Sequence, residues 1–152
     1  MKKVLIILFS FLVIITLSGC SKKNINMDKF TEIMKKNGYS VSNITDKYKS
    51  ISQLKEAATS INESDKWQID FYVLDSNESA LKIYNNNVDT FKFLKNDKDK
   101  EIVKTDKNYS KYILITNNSY GVIAINNNTI IYISANSKAK DKIDKLLREI
   151  GY

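Results

Sequence analysis

The order of hydrophobic and polar residues divides the chain into a continuous apolar run near its start and a longer, periodically patterned region. The run extends from Val4 to Leu17 and contains no charged residue. From residue 27 onward, apolar residues recur every third or fourth position, which is typical of amphipathic helices, or every second position, which is typical of half-buried strands. Residues 27–152 are therefore expected to form one folded domain, since a chain of this length normally holds one.

The 3.6-residue period predicts helices at 27–37, near 47–62 and at 138–150, and a long helix that begins after residue 75 or 76 and has Ala80 and Leu94 at the margins of its apolar stripe. Asp28 is placed to cap the first of these, and either Asp75 or Ser76 is placed to cap the long helix. The helix near 47–62 is predicted only from the spacing of four apolar residues: Ile51, Leu54, Ala58 and Ile61.

Strict alternation predicts a strand at 67–74, where one face carries Trp67, Ile69, Phe71 and Val73. Three more strands follow at 111–116, 120–125 and 129–134. They are separated by Asn-rich turns, because Asn tolerates the positive φ of tight hairpins. The lysine-rich stretch at 96–108 is interpreted as an exposed connector.

These elements predict an α+β fold: a two-layer sandwich in which amphipathic helices cover an antiparallel sheet of about four strands. Some strands carry apolar residues on both sides, as at Ile113, Leu114 and Ile115. Either helices cover both faces of the sheet or one face is left for a partner, and the pattern does not distinguish the two.

The apolar run is about 14 residues long, short of the roughly 20 that a spanning helix needs. It follows Lys2 and Lys3 and is the length of the hydrophobic region of a secretory signal peptide. It ends in Leu17-Ser18-Gly19-Cys20, which resembles the lipobox of bacterial lipoproteins.

This resemblance covers the first twenty residues and implies a specific processing. In bacterial lipoproteins the cysteine thiol receives a diacylglyceryl group, and a signal peptidase then cuts before the cysteine. Here the cut would fall between Gly19 and Cys20, so that 1–19 is the signal peptide and 20–26 the lipidated N-terminus and tether. Two acyl chains suffice for stable attachment. The alternatives are an uncleaved signal anchor with a chance cysteine and a secreted product cut elsewhere.

The resemblance thus predicts a protein held at the extracytoplasmic face of the cell membrane through Cys20. Ser21 to Asn26 can span at most ~20 Å, which keeps the domain near the bilayer. The formal charge is +7, of which Lys2 and Lys3 belong to the leader. The remaining lysines are interspersed with acids, so a nucleic-acid partner is not expected, whereas weak attraction to an anionic membrane or wall polymer is.

Residue types absent from the sequence exclude several chemistries. The chain has no histidine and one cysteine, so imidazole catalysis and thiolate zinc sites are excluded. Only four glycines are present, and none builds a phosphate loop. No metal or cofactor is expected.

Carboxylates and tyrosines remain as candidates. Asp97 with Asp99 could be a fragment of a calcium loop, but lysines interleave them. Asp65 and Asp70 flank Trp67 and could serve a two-carboxylate hydrolase, but Asp70 lies on the strand face opposite Trp67, which favours a surface or edge carboxylate. Aromatic platforms can bind sugars or proteins, although tyrosines also pack well on sheets; five tyrosines on or near the predicted strands are Tyr72, Tyr109, Tyr112, Tyr120 and Tyr132.

The function expected from these observations is that of an anchored, non-catalytic module of the cell envelope that binds a protein or wall component or assists a membrane complex. Two alternatives stay open. One is a carboxylate-based cell-wall hydrolase, and the other is a lipoprotein that binds a small ligand or an ion.

Overall fold

A computed structural model describes residues 25–152 of the chain. The leader, the proposed cleavage point between Gly19 and Cys20, and the lipidation site lie outside the described residues. Ile25 and Asn26 enter the domain directly, and Asn26 caps the first helix by accepting a hydrogen bond from the backbone of Lys29. The predicted cap, Asp28, instead lies in the first turn, where its charge suits the helix dipole.

The described chain forms three α-helices and seven strands. The helices are α1 (Met27–Lys36), α2 (Asn77–Leu94) and α3 (Lys140–Ile150), with 3-10 turns at Thr45–Tyr48 and Ser137–Ala139. The strands are β1 (Ser42–Asn43), β2 (Leu54–Asn62), β3 (Trp67–Leu74), β4 (Lys100–Asp106), β5 (Tyr109–Ile115), β6 (Ser119–Asn126) and β7 (Thr129–Asn136).

All strand pairs are antiparallel and belong to one sheet of order β1-β2-β3-β7-β6-β5-β4. The β2–β3 hairpin and the β4–β7 meander are joined where β3 pairs with β7, so that Phe71 lies opposite Ile131. Helix α2 connects the end of β3 to β4 at the far edge of the sheet.

Helices cover both faces of this sheet. Helices α1 and α3 pack on the face that carries Trp67, Ile69 and Phe71, and their own buried residues include Phe30 and Ile143. Helix α2 packs on the opposite face through a stripe of four buried residues: Ala80, Tyr84, Val88 and Phe91. The apolar residues found on both sides of the predicted strands therefore reflect helices on both faces.

The predicted two-layer sandwich with about four strands is wrong, because seven strands and two helical layers are present. The predicted helix near 47–62 is instead a 3-10 turn followed by β2, whose consecutive Ala57 and Ala58 are both buried because the two sheet faces are both covered. The predicted connector at 96–108 contains β4. This strand pairs with a neighbour on one side only, and lysines are common on such edges.

The other elements are confirmed to within a few residues: α1, the strand at 67–74, the long helix, the three-strand meander and the last helix. Ser76, not Asp75, caps α2 by accepting a hydrogen bond from the backbone of Ser79. Gly151 ends α3 with φ of 114°, a left-handed conformation that glycine adopts without strain.

Candidate functional site

A groove opens on the α2 face of the sheet because α2 does not cover β3 completely. Helix α2 packs mainly on β6 and β7, while the 3-10 turn Thr45–Tyr48 rises from the other side over β2. Between them lies a half-open cavity of about 290 Å³, here named the tyrosine groove. Its lining residues are Tyr48, Ile51, Leu54, Asp70, Tyr72, Leu74, Ile83, Asn87, Ile123, Ile130 and Tyr132.

Asp70 supplies the only charged side chain among these lining residues. It lies in the middle of β3, directly between Thr59 on β2 and Tyr132 on β7, and is only 7% exposed. The Thr59 hydroxyl donates to Asp70 Oδ1 over 2.6 Å, and Gln68 Nε2 lies 2.9 Å from each carboxylate oxygen. These two neutral donors fix the orientation of the carboxylate.

No lysine or arginine in residues 25–152 forms an ion pair with Asp70. A buried carboxylate is costly unless a cation or several strong donors compensate its charge. Thr59 and Gln68 satisfy part of its hydrogen-bonding capacity but carry no positive charge. The groove therefore has a negative floor whose countercharge the described chain does not provide.

Three tyrosines surround this floor. The Tyr48 and Tyr72 hydroxyls lie 3.5 Å apart, with their rings edge to face at 5.8 Å. Burial, the Tyr48 hydroxyl and the Asp70 charge together raise the pKa of Tyr72. Burial and the Asp70 charge raise the pKa of Tyr132. The hydroxyls of Tyr72 and Tyr132 consequently stay protonated at neutral pH and keep their capacity to donate.

The arrangement suits a small ligand with an apolar body and a positive end. Ligand sites are mostly apolar with a few placed polar groups, and this cavity is at the lower end of the usual size range. A cationic group is attracted both by a carboxylate and by the faces of aromatic rings. An anion would instead be repelled by Asp70.

The two-carboxylate arrangement is not formed by the residues that the sequence suggested. Asp70 faces α2, whereas Asp65 lies in the β2–β3 turn and forms an ion pair with Lys142 of α3 on the opposite face. Asp99 accepts a hydrogen bond from the backbone of Asn96 within its own turn. Within residues 25–152 no three potential metal-ligating side chains come together.

The predicted aromatic platform is divided between the two faces of the sheet. Tyr72 and Tyr132 line the groove, and Tyr112 is buried beneath Phe91 on the same face. The other two of the five candidate tyrosines, Tyr109 and Tyr120, lie on the α3 side.

Sequence reasoning missed Tyr48, because it was placed in a helix that does not form. It also treated Asp70 as a surface or edge carboxylate. The available signal was that Asp70 lies inside a predicted strand, between the apolar residues Ile69 and Phe71.

Comparison with protein-family models, with curated proteins and with solved structures found no match to this chain. None of the helices in residues 25–152 combines the length and the hydropathy needed to cross a bilayer.

Proposed function

We propose that this protein is a lipid-anchored, non-catalytic binding module at the extracytoplasmic face of the cell membrane, and that its tyrosine groove binds a small organic cation. The anchor rests on the lipobox-like Leu17-Ser18-Gly19-Cys20 at the end of an apolar leader. With Cys20 lipidated, the tether up to Asn26 keeps the groove within a few tens of ångströms of the bilayer.

The observation that carries the ligand class is the buried carboxylate of Asp70 without an ion-pair partner in the described chain. A bound amine would supply the missing countercharge in a partly desolvated site, where a charge pair is stronger than in water. Thr59 and Gln68 already hold the carboxylate in place, so binding needs little further ordering.

The apolar walls define the rest of the ligand. Ile51, between the 3-10 turn and β2, and Ile83 on α2 lie above the sheet, whereas Leu54, Ile123 and Ile130 belong to its strands. Burial of a ligand's hydrocarbon body against these side chains contributes about 25 cal/mol per Å². We therefore infer a primary or substituted amine attached to an aromatic or short aliphatic group. The carboxylate-hydrolase alternative lacks a second acid in this groove.

The experiment is a calorimetric titration of the full chain in lipid nanodiscs with three probes of similar size and different charge. These are phenethylamine, 2-phenylethanol and phenylacetate, each also titrated into empty nanodiscs. We expect phenethylamine to bind at least 10-fold more tightly than either counterpart, which corresponds to about 1.4 kcal/mol for the charge. Equal affinity for the amine and the alcohol would refute the cationic specificity.

A further inference from the structure

A second groove lies on the opposite face of the sheet, between α3 and the β4–β5 hairpin. It encloses about 330 Å³ and is here named the basic groove. Four of its lining residues are cationic and one is acidic. The charged residues are Lys104, Lys111, Lys140, Asp144 and Arg148, and the others are Ile102, Tyr109, Ile113, Tyr120 and Tyr152.

Lys104 and Lys111 lie directly opposite each other on β4 and β5 and both line the groove. Like charges at directly paired positions of an antiparallel sheet are destabilising. Burial lowers the pKa of Lys111, and the charges of Lys104 and Arg148 lower it further against the opposing effect of Asp144. The two strands therefore hold positive charge at a position where an anion would relieve the repulsion.

The single acid of the basic groove is already engaged. Asp144 accepts hydrogen bonds from the Tyr120 hydroxyl at 2.5 Å and from Lys140 Nζ at 2.6 Å. Within residues 25–152, Lys104, Lys111 and Arg148 take part in no ion pair. Three cations are thus left for an external anion.

The basic groove ends next to the point where the tether joins the domain. Tyr152 lines the groove, and the neighbouring Gly151 packs against Ile25: a Cβ at residue 151 would lie 3.2 Å from Ile25 Cδ1. Ile25 is five residues after Cys20, a separation of at most about 18 Å in extended chain. If Cys20 is lipidated, this side of the domain is held at the headgroup region.

We propose that the basic groove docks against the phosphate groups of anionic phospholipids in the membrane that carries the anchor. The inference rests on the anchoring part of the proposed function but not on ligand binding in the tyrosine groove. Anionic leaflets attract clustered Lys and Arg residues that lie within a Debye length of the surface. Because the two grooves are on opposite faces of the sheet, docking would turn the tyrosine groove away from the bilayer.

The test measures how fast an amine-reactive reagent acetylates individual lysines of the full chain in nanodiscs, with the sites resolved by mass spectrometry. One set of nanodiscs contains 30 mol% phosphatidylglycerol and the other only phosphatidylcholine. We expect Lys104 and Lys111 to react at least threefold more slowly in the anionic nanodiscs, and 0.5 M NaCl to abolish the difference. Lys82, exposed on α2, is the internal control and should react equally in both.

Equal acetylation of Lys104 and Lys111 in the two lipids would overturn the proposal. Protection by free glycerol phosphate without any effect of anionic lipid would also overturn it, because the phosphate would then come from solution.

Two double variants test whether the paired lysines cause the protection. In a Lys104→Gln/Lys111→Gln variant, Lys140 of the same groove should be acetylated at the same rate in both lipids. In the matched Lys47→Gln/Lys82→Gln variant, Lys140 should still be acetylated more slowly in the anionic nanodiscs. The mass of the N-terminal peptide in the same experiment reports lipidation, and phenethylamine binding is measured separately, so failure of docking is distinguishable from failure of the proposed function.

Discussion

The ring of Phe91 lies directly on Gly121. A Cβ at residue 121 would stand 2.8 Å from Phe91 Cε1, closer than side chains normally approach. The same ring is stacked against Tyr112 at 5.8 Å and against Tyr132 at 5.7 Å. The glycine on β6 thus allows α2 to approach the sheet, and Phe91 in turn supports Tyr132, one wall of the tyrosine groove.

Gly121→Ala is expected to lower the free energy of unfolding by about 1–3 kcal/mol, because the stacked Phe91 ring has little room to move away from the new methyl group. Urea unfolding followed by circular dichroism measures the change. The double variant Gly121→Ala/Phe91→Leu should be less destabilised than the sum of its two single variants, since the smaller side chain admits the methyl group. Wild-type stability of Gly121→Ala would show that the helix adjusts freely.

Asp70→Asn is expected to leave the free energy of unfolding unchanged or to raise it by up to about 1 kcal/mol. The substitution removes a buried charge that lacks a cationic partner, while the amide keeps an acceptor for Thr59. The same urea experiment measures it. A loss above about 2 kcal/mol would mean that the carboxylate serves mainly to hold β2 and β3 together.

Asp144 should make stability depend on pH. Burial acts to raise the pKa of Asp144, but the hydrogen bonds from Lys140 and Tyr120 outweigh it, and the net pKa is lowered. A carboxyl with a lowered folded-state pKa stabilises the fold above its unfolded pKa, about 3.9, and loses this contribution as the pH falls through the folded value.

Asp144→Asn should therefore cost about 1 kcal/mol at pH 7, and the difference from the parent chain should shrink as the pH falls below about 4. Urea unfolding at pH 7, 5, 4 and 3 follows this difference. Asp141→Asn, at an exposed position one turn earlier, is the matched control and should show a smaller effect. A difference that grows toward low pH would contradict the assigned contacts.

Cys20→Ser is expected to abolish incorporation of labelled palmitate and to leave the leader uncleaved, because no thiol remains to receive the diacylglyceryl group. Metabolic labelling in a bacterial host, followed by the intact mass of the product, measures both effects. Ser10→Ala, inside the apolar leader, should be labelled and processed normally. Continued labelling of the Cys20→Ser protein would exclude this lipidation site.

Elements with a strong period were predictable because the sequence places most of the apolar residues on one side of each. Helix α3 repeats Ile143, Leu147 and Ile150 along one stripe, and large apolar side chains occupy every second position of β3 from Trp67 to Val73. Each pattern therefore predicts one type of secondary structure. The three-strand meander was equally clear, since Asn-rich turns separate its strands.

The errors arose where the position of a strand in the sheet, rather than the local hydrophobic pattern, determines which residues it carries. In β2 the buried residues include Ala57, Ala58 and Ser60, small side chains that carry little hydrophobic signal, whereas the helically spaced Ile51 and Ile61 are exposed. In β4 the edge position permits lysines on a strand. Neither effect is visible until the order of the strands is known, and for this reason the number of strands was underestimated.

The candidate site was predicted only in part. Tyr72 and Tyr132 were candidates from their strand positions, and Asp70 was assigned to the face opposite Trp67, as observed. The groove itself depends on two elements separated along the chain, the turn containing Tyr48 and helix α2. Because local periodicity does not report how far a helix covers a sheet, the cavity over β3 could not be derived from the sequence.

The most direct measurement is the affinity of phenethylamine for the Asp70→Asn variant, by calorimetry of the full chain in nanodiscs. Asp28→Asn, exposed at the start of α1 on the other face of the sheet, is the matched control with the same change in charge. We predict at least a 10-fold loss of affinity for Asp70→Asn and none for Asp28→Asn. Unchanged binding by the Asp70→Asn protein would contradict the account of the groove as a site for organic cations.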